Sequence, residues 1–430
     1  MSQASRAGEG PRRALGRSLR NLRDTLTRHQ RTTFLLASGL STAGSFAGLT
    51  AKGWLLLEGA RNPMLLALHF ALLTLPTLVV SGPAGVLTDR AGSERVLIRA
   101  QWGLFAAATL GALAIPISHG AQQDVLLLLS TLGIGVASAY ELTARNKYVA
   151  LLVEEPSQLG PYLASFSVIF NVGKLVGPPV GGLLLAATGP TLALSLDAAS
   201  YLLPIASLIW LMAPHRELEQ RSEGGRRANL GTAWRDCGAP LRHVLRFTGL
   251  ACLVGFFHPG LAPLMADQLL GSSPLALGLF TSVIAAGSIS GGVLLQRRAA
   301  ACSRRPGLLL GGCTLLTGLA QLGLSLHASQ AWGLAMAFLI GAGTACLLAG
   351  TNLIIQVHAP QVLRGRMAGL GQIAFLGGGG ISGLAAALLT GVMPGGLWGT
   401  LALLGGLGAL LGVAELLQHR QMRLGPASLS

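Results

Sequence analysis

The chain has 430 residues, 51% hydrophobic and only 11% charged, with a formal net charge of +15. Soluble domains carry about 25% charged residues, so this composition excludes an ordinary water-soluble globule and points to lipid as the solvent. The basic excess would suggest a nucleic-acid surface if it formed one patch; its distribution along the chain excludes that reading.

Residues 1–31 form a basic tail with eight arginines. Leu15, Leu19, Leu22 and Leu26 recur at helical spacing, with Arg12, Arg13, Arg20 and Arg23 on other faces. This fits either an amphipathic helix on the membrane surface or a disordered topogenic tail. The apolar run from Phe34 to Leu57 exceeds a signal-peptide core and is expected to stay as the first span. Runs of spanning length recur at 32–58, 64–88, 96–117, 123–145, 160–188, 191–213, 244–270, 274–296, 306–327, 331–357, 367–391 and 396–418. Internal glycine and proline do not argue against helix, because in lipid the lost backbone bonds are recovered from neighbours and small residues allow close approach. The polar, Arg- and Glu-rich stretch 214–243 is a linker. It divides an N-terminal six-helix bundle (32–213) from a C-terminal one (244–418), followed by a short tail (419–430).

Basic residues set the orientation. With the N-terminus inside, cytoplasmic segments and their helix ends hold 28 of the 31 Lys and Arg, the external loops hold Arg61, and Lys52 and Lys174 lie within spans 1 and 5. Both termini are therefore expected in the cytoplasm, the alternate loops lying against anionic lipid. Sixty glycines, with three lysines among the basic residues, point to a GC-rich bacterial genome and hence to a bacterial inner membrane.

The halves echo each other. Gly85-Val-Leu-Thr-Asp89-Arg90 ends span 2 and Gly292-Val-Leu-Leu-Gln296-Arg297 ends span 8; Gly133-Ile-Gly135 matches Gly341-Ala-Gly343; Pro156-Ser-Gln-Leu159 matches Pro360-Gln-Val-Leu363. Three matches in order at near-constant offset indicate a 6+6 repeat with a transport path between the halves. Cys237, Cys252, Cys302, Cys313 and Cys346 are scattered without a Cys-x-x-Cys pair, so small packing residues are expected rather than a disulfide or metal site. No cofactor is called for.

The segment Gly85-Val-Leu-Thr-Asp89-Arg90-Ala-Gly92-Ser-Glu-Arg95 resembles the signature between helices 2 and 3 of the major facilitator superfamily, through Gly85, Leu87, Asp89, Arg90 and Gly92. It departs where Ser93 and Glu94 replace a basic pair. Asp89 sits at the negative end of its own helix dipole and needs a partner; the resemblance implies a helix-4 arginine, a place that Arg145 at the inner end of span 4 fills. The resemblance implies that this acid, a helix-4 arginine and the start of helix 11 meet when the cytoplasmic side is closed. A contact made in one state only biases a two-state equilibrium, whereas a permanent one merely braces a loop. Gln296 stands at the equivalent place in the second half, so the latch is asymmetric.

Gly173-Lys-Leu-Val-Gly177-Pro178-Pro-Val-Gly181-Gly182 resembles the helix-5 signature of drug:proton antiporters. Its glycines at helical spacing are expected to open a groove for a helix of the other half, with the prolines bending the segment. Ala144-Arg145, Lys174-Leu-Val-Gly-Pro178 and Asp197 also resemble the enterobactin-exporter-like branch. The resemblance implies an all-α membrane protein of major facilitator fold, with twelve transmembrane helices in two pseudo-symmetric six-helix bundles.

Charges inside a bilayer are costly, by ~2.5–3.5 kcal/mol on insertion scales, and each is a functional candidate. Ser167, Asn171, Lys174, Pro178 and Gly181 share a face of span 5, and Lys174 lies near mid-membrane, either drawing an anionic substrate or closing a structural ion pair. Lys52 ends a stripe of Ser38, Ser41 and Ser45 that is expected to face the cavity. Asp197 in span 6 is expected to be structural, Glu141 is placed for an i,i+4 pair with Arg145, and His69, His258, Asp267 and Gln268 stay open.

These features predict a secondary transporter working by alternating access, an exporter of small amphipathic molecules (drugs, siderophores or metabolites), with protons as the coupling partner implied by the resemblance. No G-x-x-x-x-G-K-[ST] loop is present for ATP-driven transport. A lysophospholipid flippase is the alternative transport reading. A membrane hydrolase built on Gly380-Ile-Ser382-Gly383 lacks a later histidine within a span, and a transport-inactive sensor fits poorly with the retained Asp89. A monomer is favoured.

Overall fold

The structure, a computed structural model, describes residues 30–60, 62–153, 156–211, 234–360 and 364–419. The amphipathic helix expected before Gln30, most of the 214–243 linker and the tail after His419 lie outside the described residues.

Twelve helices among the described residues are long and apolar enough to cross a membrane. They are α1 (Gln30–Ala60), α2 (Pro63–Ala91), α3 (Ser93–Ile117), α4 (Ala121–Leu151), α5 (Pro156–Thr188), α6 (Pro190–Ile209), α7 (Ala239–Leu270), α8 (Pro274–Arg297), α9 (Pro306–Ser325), α10 (Gln330–His358), α11 (Gly369–Val392) and α12 (Gly396–His419). Their starts follow local chemistry. Asn62, Ser273 and Ser329 cap α2, α8 and α10 by accepting from the backbone N–H of Met64, Ala276 and Trp332 at 2.9, 3.0 and 3.1 Å. Prolines open α2, α5, α6, α8 and α9, where their missing N–H costs nothing. Helix α7 starts at Ala239 rather than near 244, and α5 at Pro156 rather than 160, because these helices continue past the apolar run.

Four packing partnerships of the first half recur six helices later: α1 with α5 and α7 with α11, α2 with α4 and α8 with α10, α3 with α4 and α9 with α10, α3 with α6 and α9 with α12. The pseudo-symmetric 6+6 arrangement is therefore physical. Glycines set the closest approaches. A Cβ at Gly318 would lie 2.7 Å from the Gly405 carbonyl, and one at Gly405 2.9 Å from that of Gly318, so α9 and α12 meet backbone to backbone. The repeated Gly-x-Gly pairs behave alike but with exchanged roles: Gly135 abuts α2 and Gly133 abuts α3, whereas Gly341 abuts α8 and Gly343 abuts α9.

One end of the bundle carries the arginine-bearing connections α2–α3 and α8–α9, and is called here the basic end; the other is the far end. At the far end a single apolar core runs across both halves, with Leu66, Ala67 and Leu194 beside Phe257, Leu261 and Phe280. Towards the basic end the buried clusters divide, one around Val96, Leu97 and Tyr148, another around Val244, Ile354 and Met367. The halves join through α5 with α8, α2 with α7 and α11, and α1 with α7 and α8. All five cysteines are free, and three of them are buried.

Candidate functional site

The basic half of the N-terminal bundle presents two cations around aromatic rings. Arg145 donates from Nη1 to Glu141 Oε1 at 3.0 Å, the i,i+4 pair expected on α4. Its guanidinium lies 5.9 Å from the Phe166 ring centroid and 5.8 Å from that of Phe170. Lys174 Nζ lies 4.9 Å from the same Phe170 ring and 5.7 Å from Phe46, so two cations flank one phenyl group. Cation–π attraction stabilises such charges where water is scarce, by ~0.5–2 kcal/mol each. None of the ion pairs among the described residues involves Lys174.

The packing faces of helix α5 set the direction of Lys174. Gly173, Gly177 and Gly181 pack on Thr42, Ala43, Phe46 and Ala47 of α1, within the same half. Pro178 and Gly182 meet α8: a Cβ at Gly278 would lie 2.8 Å from the Pro178 carbonyl, one at Gly182 would lie 3.0 Å from the Pro274 carbonyl carbon, and Ser282 Oγ donates to Leu175 O at 2.9 Å. The expected groove for the other half is thus corrected: most of the motif glycines seat α1, and α8 is met by Leu175, Pro178, Pro179 and Gly182. At ~100° per residue, Lys174 points between these two faces, into the seam of α1 and α8. Asn171, half-buried, is on the α8 side.

The segment between α2 and α3 is a surface feature. Gly92 has φ +91°, receives its turn from a bond of its N–H to Thr88 O at 3.2 Å, and could not be replaced without strain. Arg90 is exposed, and a Cβ on Gly85 would meet nothing within 4 Å. Asp89 accepts from Lys147 Nζ at 3.3 Å, with its side chain 68% exposed. The expected partner, Arg145, is engaged by Glu141 instead. Lys147 lies two residues, or ~200°, further round α4 and faces α2. An exposed pair of this kind is worth only ~0–1 kcal/mol. Asp89→Asn is therefore expected to leave membrane levels near normal while transport falls several-fold; flux equal to wild type would remove Asp89 from the switch.

The expectation that Lys52 faces the cavity is overturned. Lys52 is wholly buried inside the N-terminal half, where Nζ donates to Ser130 Oγ of α4 at 2.8 Å and Cε packs against Gly111 of α3. Ser130 in turn donates to Ala107 O at 2.7 Å. The serine stripe of α1 divides: Ser38 lines the space beside Arg145, Phe166 and Phe170, whereas Ser45 Oγ donates to Tyr201 Oη of α6 at 2.8 Å, and Gly44 and Gly48 make room for Ser200 and the Asp197 carboxyl. Asp197 is 2% exposed, and its Oδ1 has no hydrogen-bond partner. His69 Nδ1 bonds Thr131 Oγ1 at 2.9 Å beside this cluster.

Sequence reasoning missed an aromatic plug between the halves. Helix α7 breaks between Gly255 and His258, and α11 holds a π-helical turn, Ile373–Gly377. The irregularities converge. Phe256 lies 4.2 Å from Phe375 and 6.0 Å from Phe70 of α2, centroid to centroid. Gln321 Nε2 donates to the Gly255 carbonyl freed by the break, at 2.6 Å. The available signal was Phe256-Phe257-His258-Pro259 inside an apolar run. Also unforeseen is the buried Glu415, held by His243 Nε2 at 2.9 Å. Ser382 is buried, and its hydroxyl has no hydrogen-bond partner among the described residues, an arrangement without a base to activate a nucleophile.

The family model described as transmembrane secretion effector matches residues 25–427. Relatives named multidrug efflux pump Tap are 24% identical in Mycobacterium tuberculosis, over 78% of this chain and 81% of theirs, and 27% identical in Mycolicibacterium fortuitum, over 78% and 84%. Among solved structures, a nucleoside transporter superposes with TM-score 0.70 at 13% identity, covering 90% of this chain and 99% of its own. A peptide transporter gives 0.67 at 14%, covering 91% and 96%. The chain is a multi-pass membrane transporter of small molecules rather than an enzyme, and it belongs to the transmembrane secretion effector family of the major facilitator superfamily.

Proposed function

We propose that this protein is a proton-coupled exporter of small amphipathic molecules, seated in a bacterial inner membrane with its basic end in the cytoplasm. The observation that carries this reading is the pair of cations, Arg145 and Lys174, flanking Phe170 in the basic half of the N-terminal bundle, whose apolar core is shared with the other half only at the far end. Aromatic rings take an amphipath's apolar body, and a cation with no carboxylate partner takes an acidic group. In this arrangement the far end is shut by Gly182 on Pro274 and the shared apolar core, the Phe70–Phe256–Phe375 contacts join the halves deeper in the bundle, and a substrate enters from the basic end. Closure of that end would bring α11 towards the open face at Gly85, where Asp89 acts as the latch. Relatives named as efflux pumps support the outward direction.

The test is flux in proteoliposomes across anionic, neutral and cationic amphipaths and a lysophospholipid, with and without an imposed pH gradient. Loss of a charge-assisted bond costs ~1.5–3 kcal/mol, so Lys174→Ala is expected to weaken anionic substrates about ten-fold or more and spare neutral ones. An equal loss for every compound would make Lys174 structural. Transport of the lysophospholipid alone would replace export of soluble amphipaths by lipid flipping.

A further inference from the structure

Inside the N-terminal half, away from the central seam, polar groups form a column. From the basic end it runs through Glu141 and Arg145 on α4, Tyr201 with Ser45, Asp197, and Lys52 with Ser130. Tyr201, 4% exposed, is within electrostatic reach of both Glu141 and Asp197, and Lys52 within that of Asp197. From Glu141 to Ser130 the column covers ~16 Å of α4. Every member is buried or half-buried, in a bundle where an unpaired polar atom is costly. Yet Asp197 Oδ1 has no partner, and Lys52 makes no ion pair among the described residues; its ammonium rests on a serine hydroxyl. Lys52 and Asp197 thus lie on neighbouring turns of the α1–α6 contact, one turn of α1 apart through Gly48, without bonding one another.

Building on the reading of the chain as proton-coupled, we propose that Asp197 carries the coupling proton, alternating between a bound proton and the Lys52 ammonium. With the proton on Asp197, Lys52 stays on Ser130. When the proton passes to water, the carboxylate draws Nζ off Ser130 and the two charges pair; no other bond changes. The groups facing Asp197 are Lys52 and the small Gly48 on α1 and Tyr201 on α6. Gly111 and Ala107 of α3 line the Lys52 side, His69 of α2 and Thr131 of α4 border it, and Lys174 of α5 lies on the adjoining face of α1, against Phe46. The mechanical link is α1 itself. Gly48 backs onto the carboxyl, while Gly53, next to Lys52, packs on Pro263 of the other half, where a Cβ would lie 3.1 Å from Cγ. A shift of Lys52 therefore acts on a far-end contact between the halves.

The experiment is infrared difference spectroscopy of the purified protein in lipid nanodiscs across a pH titration, without substrate. Wild type should show a protonated-carboxyl carbonyl band that titrates, absent in Asp197→Asn, displaced in frequency in Asp197→Glu and shifted in midpoint in Lys52→Met. The same band in wild type and Asp197→Asn overturns the proposal. Should Asp197→Asn fail to fold, the Asp197→Glu and Lys52→Met spectra decide: unchanged bands in both overturn it. In proteoliposomes, Asp197→Asn should lower pH-gradient-driven flux by about ten-fold or more and leave substrate exchange without a gradient near wild type. Loss of both together makes Asp197 structural. A titrating Asp197 band with no gradient-driven flux of any compound in wild type overturns the coupled-export reading and the carrier role, and leaves a proton-binding site.

Discussion

Gly182→Leu is expected to lower transport by at least about ten-fold while the protein reaches the membrane at near wild-type levels. A Cβ at Gly182 would meet the carbonyl of Pro274 and lie 3.3 Å from Leu275 Cα, so the obstruction is backbone of the opposite half. Overpacking of this kind costs ~1–3 kcal/mol, and here the cost falls on one conformation only, the one with the far end shut. A two-state equilibrium shifts about ten-fold for every ~1.4 kcal/mol of such a difference. Each half folds around its own contacts, so abundance should hold. The measurement is flux together with spin-label distances between the far ends of α5 and α8, which should lengthen. Gly406→Leu, where a Cβ meets nothing within 4 Å, is the control. Unchanged flux and distance would show that this contact does not gate the far end.

Gly341→Leu should instead remove the protein. A Cβ there would collide with the Ile284 carbonyl and lie 3.1 Å from Ile284 Cα, and the reciprocal Gly287 faces Phe338 in the same way. Both residues belong to one half, where α8 and α10 stay packed throughout any rocking motion of the halves, so no conformation relieves the clash. Relief requires separating the two helices along their length, a large share of the ~5–15 kcal/mol by which a native fold is held. Membrane abundance and the melting temperature of the purified protein should both fall, in contrast to Gly182→Leu. A stable Gly341→Leu protein would mean that α8 and α10 can slide apart at low cost.

The contrast also separates what was legible in the sequence. The number of spans, their approximate limits and the division into related halves follow from apolar run length and repetition, because a helix in lipid satisfies its own backbone and its existence is a local property. The Glu141–Arg145 pair was legible for the same reason: both members lie on one helix, one turn apart.

Everything that depends on which faces meet was decided by tertiary structure. Asp89 takes Lys147 rather than Arg145 because rotation about α4 turns the two cations to different neighbours. The glycines of α5 serve α1 more than the other half, Lys52 turns inward to Ser130, and Phe256 reaches Phe375 through breaks in two helices. Helical periodicity gives relative angles within one helix and no absolute direction. In a bundle apolar on nearly every side, hydropathy does not mark the inner face, and only the packing of twelve helices against one another fixes where each buried charge points.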